Sequence, residues 1–203
     1  MGSILLLLIV AAFGTCSPPL TLAWNSGSFR FDEAELARLT RGEVLIRADS
    51  SADRHKGKVQ AAILIEVPVE QLWEIMTDYP STPEFIPGLK SCRVLNRTEY
   101  TEIVEHRVKF SWFMPMVTYV FRTRNQRPNR IDFERISGDL NVFEGSWFFE
   151  PANDGRKTLV VYSAYLDPGF LVPQWLARQV LRNDVPELLL ALRKRAAEVS
   201  YKP

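Results

Sequence analysis

The sequence predicts an α+β fold in which one curved antiparallel β-sheet of about seven strands wraps around a long C-terminal helix. Three observations predict it. Apolar and polar residues alternate along short segments within residues 59–166, as in half-buried strands. The turns between these segments are too short for the crossovers that parallel strands require. The C-terminal segment has helical spacing instead, and only this helix is long enough to cover the sheet.

The N-terminal segment has the features of an export signal. Its first 23 residues contain no Asp, Glu, Lys or Arg and include an apolar run over residues 4–13. This run is shorter than the about 20 apolar residues of a membrane-spanning helix, and Thr21-Leu22-Ala23 is suitable for cleavage. We therefore expect residues 1–23 to be a signal peptide and the protein to be periplasmic or secreted. The alternative is an uncleaved N-terminal membrane anchor.

After such cleavage Cys92 would be the last remaining cysteine, so no intramolecular disulfide could form. We expect Cys92 to be buried as a small apolar residue. Residues 24–56 are predicted to be a leader. It contains a short helix over residues 32–41, with acidic residues first, basic residues last and Gly42 as its end. A strand over residues 43–48 and a polar loop follow.

The main domain is predicted over residues 57–200 and begins with a strand over residues 59–67. Two small helices follow it. Val69, Leu72 and Trp73 lie on one face of the first helix, after Pro68 in its first turn. Three further prolines, at positions 80, 83 and 87, prevent a long helix and force a corner.

Six more strands are predicted between this corner and the C-terminal helix. They cover residues 91–96, 101–113, 117–124, 130–137, 141–150 and 157–166, with turn residues between them. In the C-terminal helix, Pro186 disfavours helical geometry at the preceding residue, and Asp184 and Glu187 have capping-box spacing. We therefore expect a kink or a restart near Asn183.

Several classes of function find no support in the composition and motifs. The net charge of +1 argues against binding of nucleic acid by bulk electrostatics. His55 and His106 are the two histidines, and no Cys or His spacing beside them indicates a metal site. No nucleophile elbow of the type Gly-x-Ser-x-Gly is present, and no motif implies a cofactor. Asp78 and Glu84 are better explained by capping and solvation than by acid–base catalysis.

The chain resembles the START-like, helix-grip superfamily, and within it the polyketide cyclase/dehydrase and coenzyme-Q-binding group. The resemblance covers residues 57–200 and is carried by Val67-Pro68, Trp73, Asp78-Tyr79, Pro83-Glu84-Phe85, Pro87, Ser137-Gly138-Asp139, Glu144-Gly145-Ser146-Trp147, Tyr162, Asp167-Pro168 and the terminal helix. It implies a hydrophobic cavity between sheet and helix that holds lipids, isoprenoid quinones, sterols or aromatic polyketides. Some bacterial members of the superfamily are ribosome-association toxins.

Strand alternation predicts which side chains face this cavity. His106 falls on the apolar face of its strand, and Gly145 removes a side chain where the sheet bends or another group approaches. The predicted ligand-binding residues are Tyr79, Phe85, His106, Trp112, Tyr119, Trp147 and Tyr162, with Tyr79 and Phe85 at the entrance. The alternative is that these side chains pack on one another and leave no cavity.

Three functions are compatible with this sequence. The leading hypothesis is an exported, non-enzymatic carrier of a lipid or quinone-like molecule, with transient membrane contact during transfer. The second is a cyclase, aromatase or dehydratase acting on a polyketide-like substrate, with His106 as the acid or base and Tyr162 as a hydrogen-bond donor. The third is a protein-interaction module, as the toxin-like relatives suggest.

Overall fold

The computed structural model describes residues 30–50, 57–109, 114–169 and 180–200. The helices are α1 (Glu33–Thr40), α2 (Val69–Thr77), a 3₁₀ helix (Tyr79–Glu84) and α3 (Val185–Ser200). The strands are β1 (Leu45–Ser50), β2 (Gly57–Ile65), β3 (Leu89–Arg97), β4 (Thr101–Val108), β5 (Val117–Gln126), β6 (Arg130–Gly138), β7 (Val142–Ala152) and β8 (Lys157–Asp167). No helix in this part of the chain has both the length and the apolar character needed to cross a bilayer.

All the described strands belong to one antiparallel sheet, which confirms the predicted α+β class. Its order is β1-β2-β8-β7-β6-β5-β4-β3, and it has eight strands, one more than the expected number of about seven. Strands β3 to β8 each lie beside the next in sequence, as short turns require. Strand β8 then pairs with β2, where Ala61 lies opposite Tyr162. This pairing joins the first strand of the main domain to the last.

Helix α3 covers the inner face of the sheet. Leu189, Leu192 and Ala196 recur at helical spacing, are almost completely buried, and belong to the same core as the inner residues of β2 and β8. Helix α2 completes this core, because its Trp73 meets Phe149 of β7 edge to face with ring centroids 6.2 Å apart. Cys92 is also buried in this core, as expected.

A second, smaller core lies on the opposite, outer face. Helix α1 begins with a capping box in which the Asp32 carboxylate accepts from the Glu35 N–H and the Glu35 carboxylate accepts from the Asp32 N–H. Leu39 of α1 packs there with apolar residues of the sheet, including Leu159 and Val161 of β8. The predicted leader helix and strand thus belong to the fold: β1 extends the sheet, and α1 covers part of its outer face.

The structure can be compared with two boundaries that the sequence predicts, one at the end of β4 and one before α3. The predicted strand over residues 101–113 is shorter in the structure, because β4 ends at Val108. Residues 110–113 lie outside the described residues. The predicted interruption near Asn183 is confirmed by a π-helical turn over Val180–Asp184, immediately before α3. Since Pro186 has no N–H to donate to the preceding turn, the regular α-helical pattern is interrupted there.

Candidate functional site

The inner faces of β4 to β8 carry a continuous row of rings, here called the aromatic wall. Its members are His106, Tyr119, Phe121, Phe133, Phe143, Trp147 and Tyr162. Neighbouring rings have centroids between 4.4 and 6.1 Å apart, mostly edge-to-face or tilted. These separations are typical of favourable aromatic pairs. The wall is therefore a preformed apolar and polarisable surface facing the interior.

Strand register explains this row. His106 lies directly opposite Tyr119, and Trp147 lies directly opposite Tyr162. Residues in such positions share a face of the sheet and have adjacent side chains. Accordingly the Trp147 and Tyr162 ring centroids are 4.4 Å apart, the shortest separation on the wall.

Gly145 makes room in the middle of the wall. A Cβ atom at this position would lie 2.0 Å from the carbonyl oxygen of Ser163 and 2.7 Å from the Phe133 ring. No side chain fits there without moving the backbone. The absence of one lets the Phe133 ring stack on Phe143 at 4.7 Å and reach Tyr162 at 6.1 Å. The expectation that another group approaches the chain at Gly145 is confirmed.

The half-buried His106 and the buried Tyr119 form a polar pair within the wall. The His106 Nδ1 and Tyr119 hydroxyl are 3.2 Å apart. Burial lowers the pKa of His106 to about 4, so the imidazole is neutral at neutral pH. A phenol is a good donor, so we assign the Tyr119 O–H as donor to Nδ1, which leaves the ring proton on Nε2. This Nε2 is buried and has no hydrogen-bond partner in the structure as described.

Tyr162 adds a second polar group at the other end of the wall. Burial raises its pKa well above the ordinary value of 10.0, so the phenol stays protonated. Burial also raises the pKa of Tyr119, and the neighbouring Tyr162 adds to this effect. The described residues provide no hydrogen-bond partner for the Tyr162 hydroxyl. A molecule lying on the wall could therefore receive hydrogen bonds from both ends.

A separate polar cluster lies on the inner face where β4 begins. Glu102 is 3% exposed, forms an ion pair with Arg97 at 2.5 Å and accepts from Asn125 Nδ2 at 3.1 Å. Its paired and bonded carboxylate is a structural anchor between β3, β4 and β5. Within the described ranges, no group of three or more His, Cys, Asp or Glu side chains is placed to hold a metal ion.

The structure brings four of the predicted ligand-binding residues together: His106, Tyr119, Trp147 and Tyr162 all lie on the aromatic wall. Trp112, the other strand residue predicted to contact the ligand, lies outside the described residues, as does His55. The ligand-binding role of all of them stays a prediction.

The two residues expected at the entrance have different surroundings. Tyr79 is 7% exposed and packs in the main core. Phe85 is half-buried, and the Arg195 guanidinium lies 5.7 Å from its ring centroid. Glu84 forms an ion pair with the same arginine at 3.1 Å, which agrees with a structural role for this carboxylate. The gating role of Tyr79 and Phe85 stays a prediction.

Sequence reasoning missed Phe133 on this wall. The alternation of Ile131, Phe133 and Arg135 along β6 carried the signal, because the first two are buried at alternate positions. The outward residues between them are charged, which completes the period-two pattern of a half-buried strand. Arg135 follows Phe133 at the same parity.

A family model described as polyketide cyclase / dehydrase and lipid transport matches residues 65–193, which is more than half of the chain. The chain belongs to this family. The matched residues include the aromatic wall and most of α3. Helix α1 and strand β1 precede the match.

Solved structures share the fold at low sequence identity. The STAR-related lipid transfer protein from Xanthomonas axonopodis is 14% identical, with a TM-score of 0.66 over 76% of this chain and 93% of that one. The Zhui aromatase/cyclase from Streptomyces sp. R1128 is 15% identical, with a TM-score of 0.62 over 72% and 96% of the two chains. These likenesses establish the START helix-grip fold.

Among curated proteins, the ribosome association toxin RatA of Vibrio cholerae is 24% identical over 99 residues. The aligned region covers 48% of this chain and 66% of the toxin. The chain thus spans just under two thirds of the length of this relative.

Proposed function

We propose that this protein is an exported carrier that binds a hydrophobic small molecule, lipid-like or isoprenoid-quinone-like, between the aromatic wall and α3. The observation that carries the proposal is a buried ring nitrogen, His106 Nε2, that has no hydrogen-bond partner among the described residues on an otherwise apolar wall. A START-like fold with lipid transfer proteins among its structural neighbours supports the same class of ligand. Export rests on the signal-like residues 1–23.

A core made only to stabilise the fold would not need an unpartnered polar atom on this wall. Leaving a buried donor unsatisfied costs about 1–3 kcal/mol, and native proteins contain few such groups. The His106 Nε2 is such a group, because it is buried and lacks a partner in the described part of the chain. A ligand with one or two oxygen atoms would accept from this Nε2 and from the Tyr162 hydroxyl, and its apolar body would lie on the rings between them. Binding of such a ligand therefore explains the unpartnered His106 Nε2, which packing alone does not explain.

The first test is to identify what the purified protein holds. The full chain is expressed with its own residues 1–23 and recovered from each cell fraction. The protein is examined by native mass spectrometry, and its organic extract is examined by lipid mass spectrometry. We expect a processed protein carrying one stoichiometric lipid or quinone. A protein that is empty and also binds no hydrophobic probe would contradict the proposal, because the wall would then be solid core.

Two variants separate ligand binding from folding. Tyr162→Phe removes one hydroxyl and keeps the ring that meets Trp147, so stability should change little while affinity falls about 5-fold, the worth of one hydrogen bond. The matched control is Tyr165→Phe, on the same strand but at an outward position. Trp147→Ala should abolish binding by removing half of the closest ring pair. If both Tyr162→Phe and Trp147→Ala bound ligand normally, the assignment of the wall as the site would fail.

The His106–Tyr119 pair is also the one observation that favours an enzyme. A histidine held by a phenol could act as a general base in a cyclase or dehydratase. Its pKa of about 4 lies far below neutral pH, however, which makes it a weak base in this environment. Binding is therefore the better-supported role. Full turnover of a polyketide-like substrate by a His106→Ala variant would exclude this catalytic mechanism.

A further inference from the structure

Arg135 is a cation on the apolar inner face of the sheet. It lies directly opposite Phe121 in the pairing of β5 with β6, and paired residues share a face. Phe121 is a buried member of the aromatic wall. The half-buried guanidinium of Arg135 is therefore placed beside the wall and not on the charged outer face of the sheet.

The local backbone holds this arginine in place. The pairing of β5 with β6 shifts by one residue immediately after Arg135, which makes Ile136 the extra residue of a β-bulge. Two residues later Gly138 has φ +106, and a Cβ there would lie 2.4 Å from the Thr118 carbonyl oxygen. Glycine is thus required at this position. The Gly138 carbonyl accepts a hydrogen bond from Arg135 Nη2 at 2.9 Å, which fixes the guanidinium.

The remaining hydrogen-bonding capacity of Arg135 is unused. Its Nε is buried and has no partner, and no carboxylate pairs with it in the described residues. Other half-buried arginines of this sheet differ in this respect: Arg122 pairs with Glu134 at 3.1 Å and Arg130 with Asp132 at 2.6 Å. A buried N–H such as this Nε is costly to leave without an acceptor. The geometry therefore leaves a cationic donor beside an apolar surface.

We propose that Arg135 binds the anionic group of an amphiphilic ligand, a carboxylate or a phosphate, whose apolar part lies on the aromatic wall. This inference rests on the proposed carrier function and specifies its ligand class. Guanidinium groups bind carboxylates and phosphates through charge-assisted hydrogen bonds. His106 lies on the other side of Phe121, with ring centroids 4.7 Å apart, and its Nε2–H is a second donor for the same head group. Both unpartnered nitrogens thereby acquire an acceptor.

The test compares three probes that share one alkyl chain: hexadecanoic acid, hexadecyl phosphate and hexadecan-1-ol. Their affinities for the delipidated full chain are measured by calorimetry at pH 8, where the acid is ionised. We expect the two anions to bind at least 10-fold more tightly than the alcohol, since a hydrogen bond to a charged group is worth about 1.5–3 kcal/mol. The variants are Arg135→Gln, which removes the charge, and Arg135→Lys, which keeps the charge but lacks the planar guanidinium group. The matched control is Arg124→Gln, an exposed arginine of β5 that pairs with Glu134.

Arg135→Gln should weaken binding of the anions at least 10-fold and leave the alcohol unchanged, which also shows that the variant is folded. Arg135→Lys should give an intermediate loss for the anions, and Arg124→Gln no loss. If native protein bound the alcohol and the anions equally, or if Arg135→Gln kept the preference for anions, this inference would be overturned while the carrier function stood. If no probe bound at all, the carrier function and this inference would both be overturned.

Discussion

The neutral state of the desolvated His106 ring makes protein stability depend on pH in a defined direction. Burial lowers its pKa from 6.5 to about 4 in the folded protein, whereas the unfolded chain keeps the ordinary value. Between these two values the unfolded state binds more protons than the folded state. Stability therefore rises with pH across this window and is lost as the pH falls from about 6.5 towards about 4. Above pH 7 both states are neutral at this ring and the contribution is constant.

The magnitude follows from the same two pKa values. A difference of one pKa unit corresponds to about 1.36 kcal/mol. The full difference between the two pKa values therefore changes the free energy of unfolding by about 3 kcal/mol. Between pH 7 and pH 5 the unfolded histidine becomes almost fully protonated while the folded one stays mostly neutral. The resulting loss at pH 5 is about 2 kcal/mol. This loss is a substantial part of the about 5–15 kcal/mol that typically stabilises a folded domain.

Urea unfolding monitored by tryptophan fluorescence measures this loss. We expect the free energy of unfolding to fall between pH 7 and pH 5 by about 2 kcal/mol more in the native protein than in His106→Gln, which cannot be protonated. The comparison removes the contributions of carboxylates and of His55, which both proteins share. An equal fall in both proteins would refute the reasoning, because His106 would then have an ordinary pKa and would not be buried.

Three further substitutions test the packing, each by urea unfolding at pH 7. Gly145→Ala should cost about 2 kcal/mol or more, because its Cβ would overlap the backbone of β8; a neutral result would mean that the strands separate easily there. Trp73→Ala should cost about 4 kcal/mol through loss of its packing on Phe149, and Trp73→Phe much less. Asp32→Ala should cost about 1 kcal/mol by removing the helix cap, and Asp32→Asn should restore most of it. Equal stability of Asp32→Ala and the native protein would show that α1 contributes little.

Local patterns in the sequence were sufficient for most of the fold. Alternation in the strands and helical spacing in the C-terminal segment both reflect which side of an element faces the core. Each pattern can therefore be read from the residues of that segment alone. The positions of β1 and α1 could not be predicted from such local patterns. The pairing of β1 with β2, and the packing of Leu39 against Leu159 and Val161, join segments whose fit becomes visible only in three dimensions. A short polar helix before the domain carries no sign of where it will pack.

The same distinction applies to the candidate site. Parity along each strand placed His106, Trp147 and Tyr162 on one face, because side chains alternate with a period of two residues. It could not show that Tyr119 would hold His106 Nδ1, since that contact depends on the register between strands. The bulge after Arg135 was also unpredictable, because one extra residue in a strand leaves little trace in its sequence.

The outer face of the sheet supports the aromatic wall more strongly at one end of the strand order than at the other. Over β1, β2 and β8 the outer face is buried by the second core, so these strands are held from both sides. Over β3 to β6 the described outer side chains include exposed ion pairs such as Arg93–Glu105 and Arg122–Glu134. Exposed pairs contribute little, with a median of about 0–1 kcal/mol. Because local stability follows buried apolar contact, the strands that carry His106 and Arg135 have the weaker support.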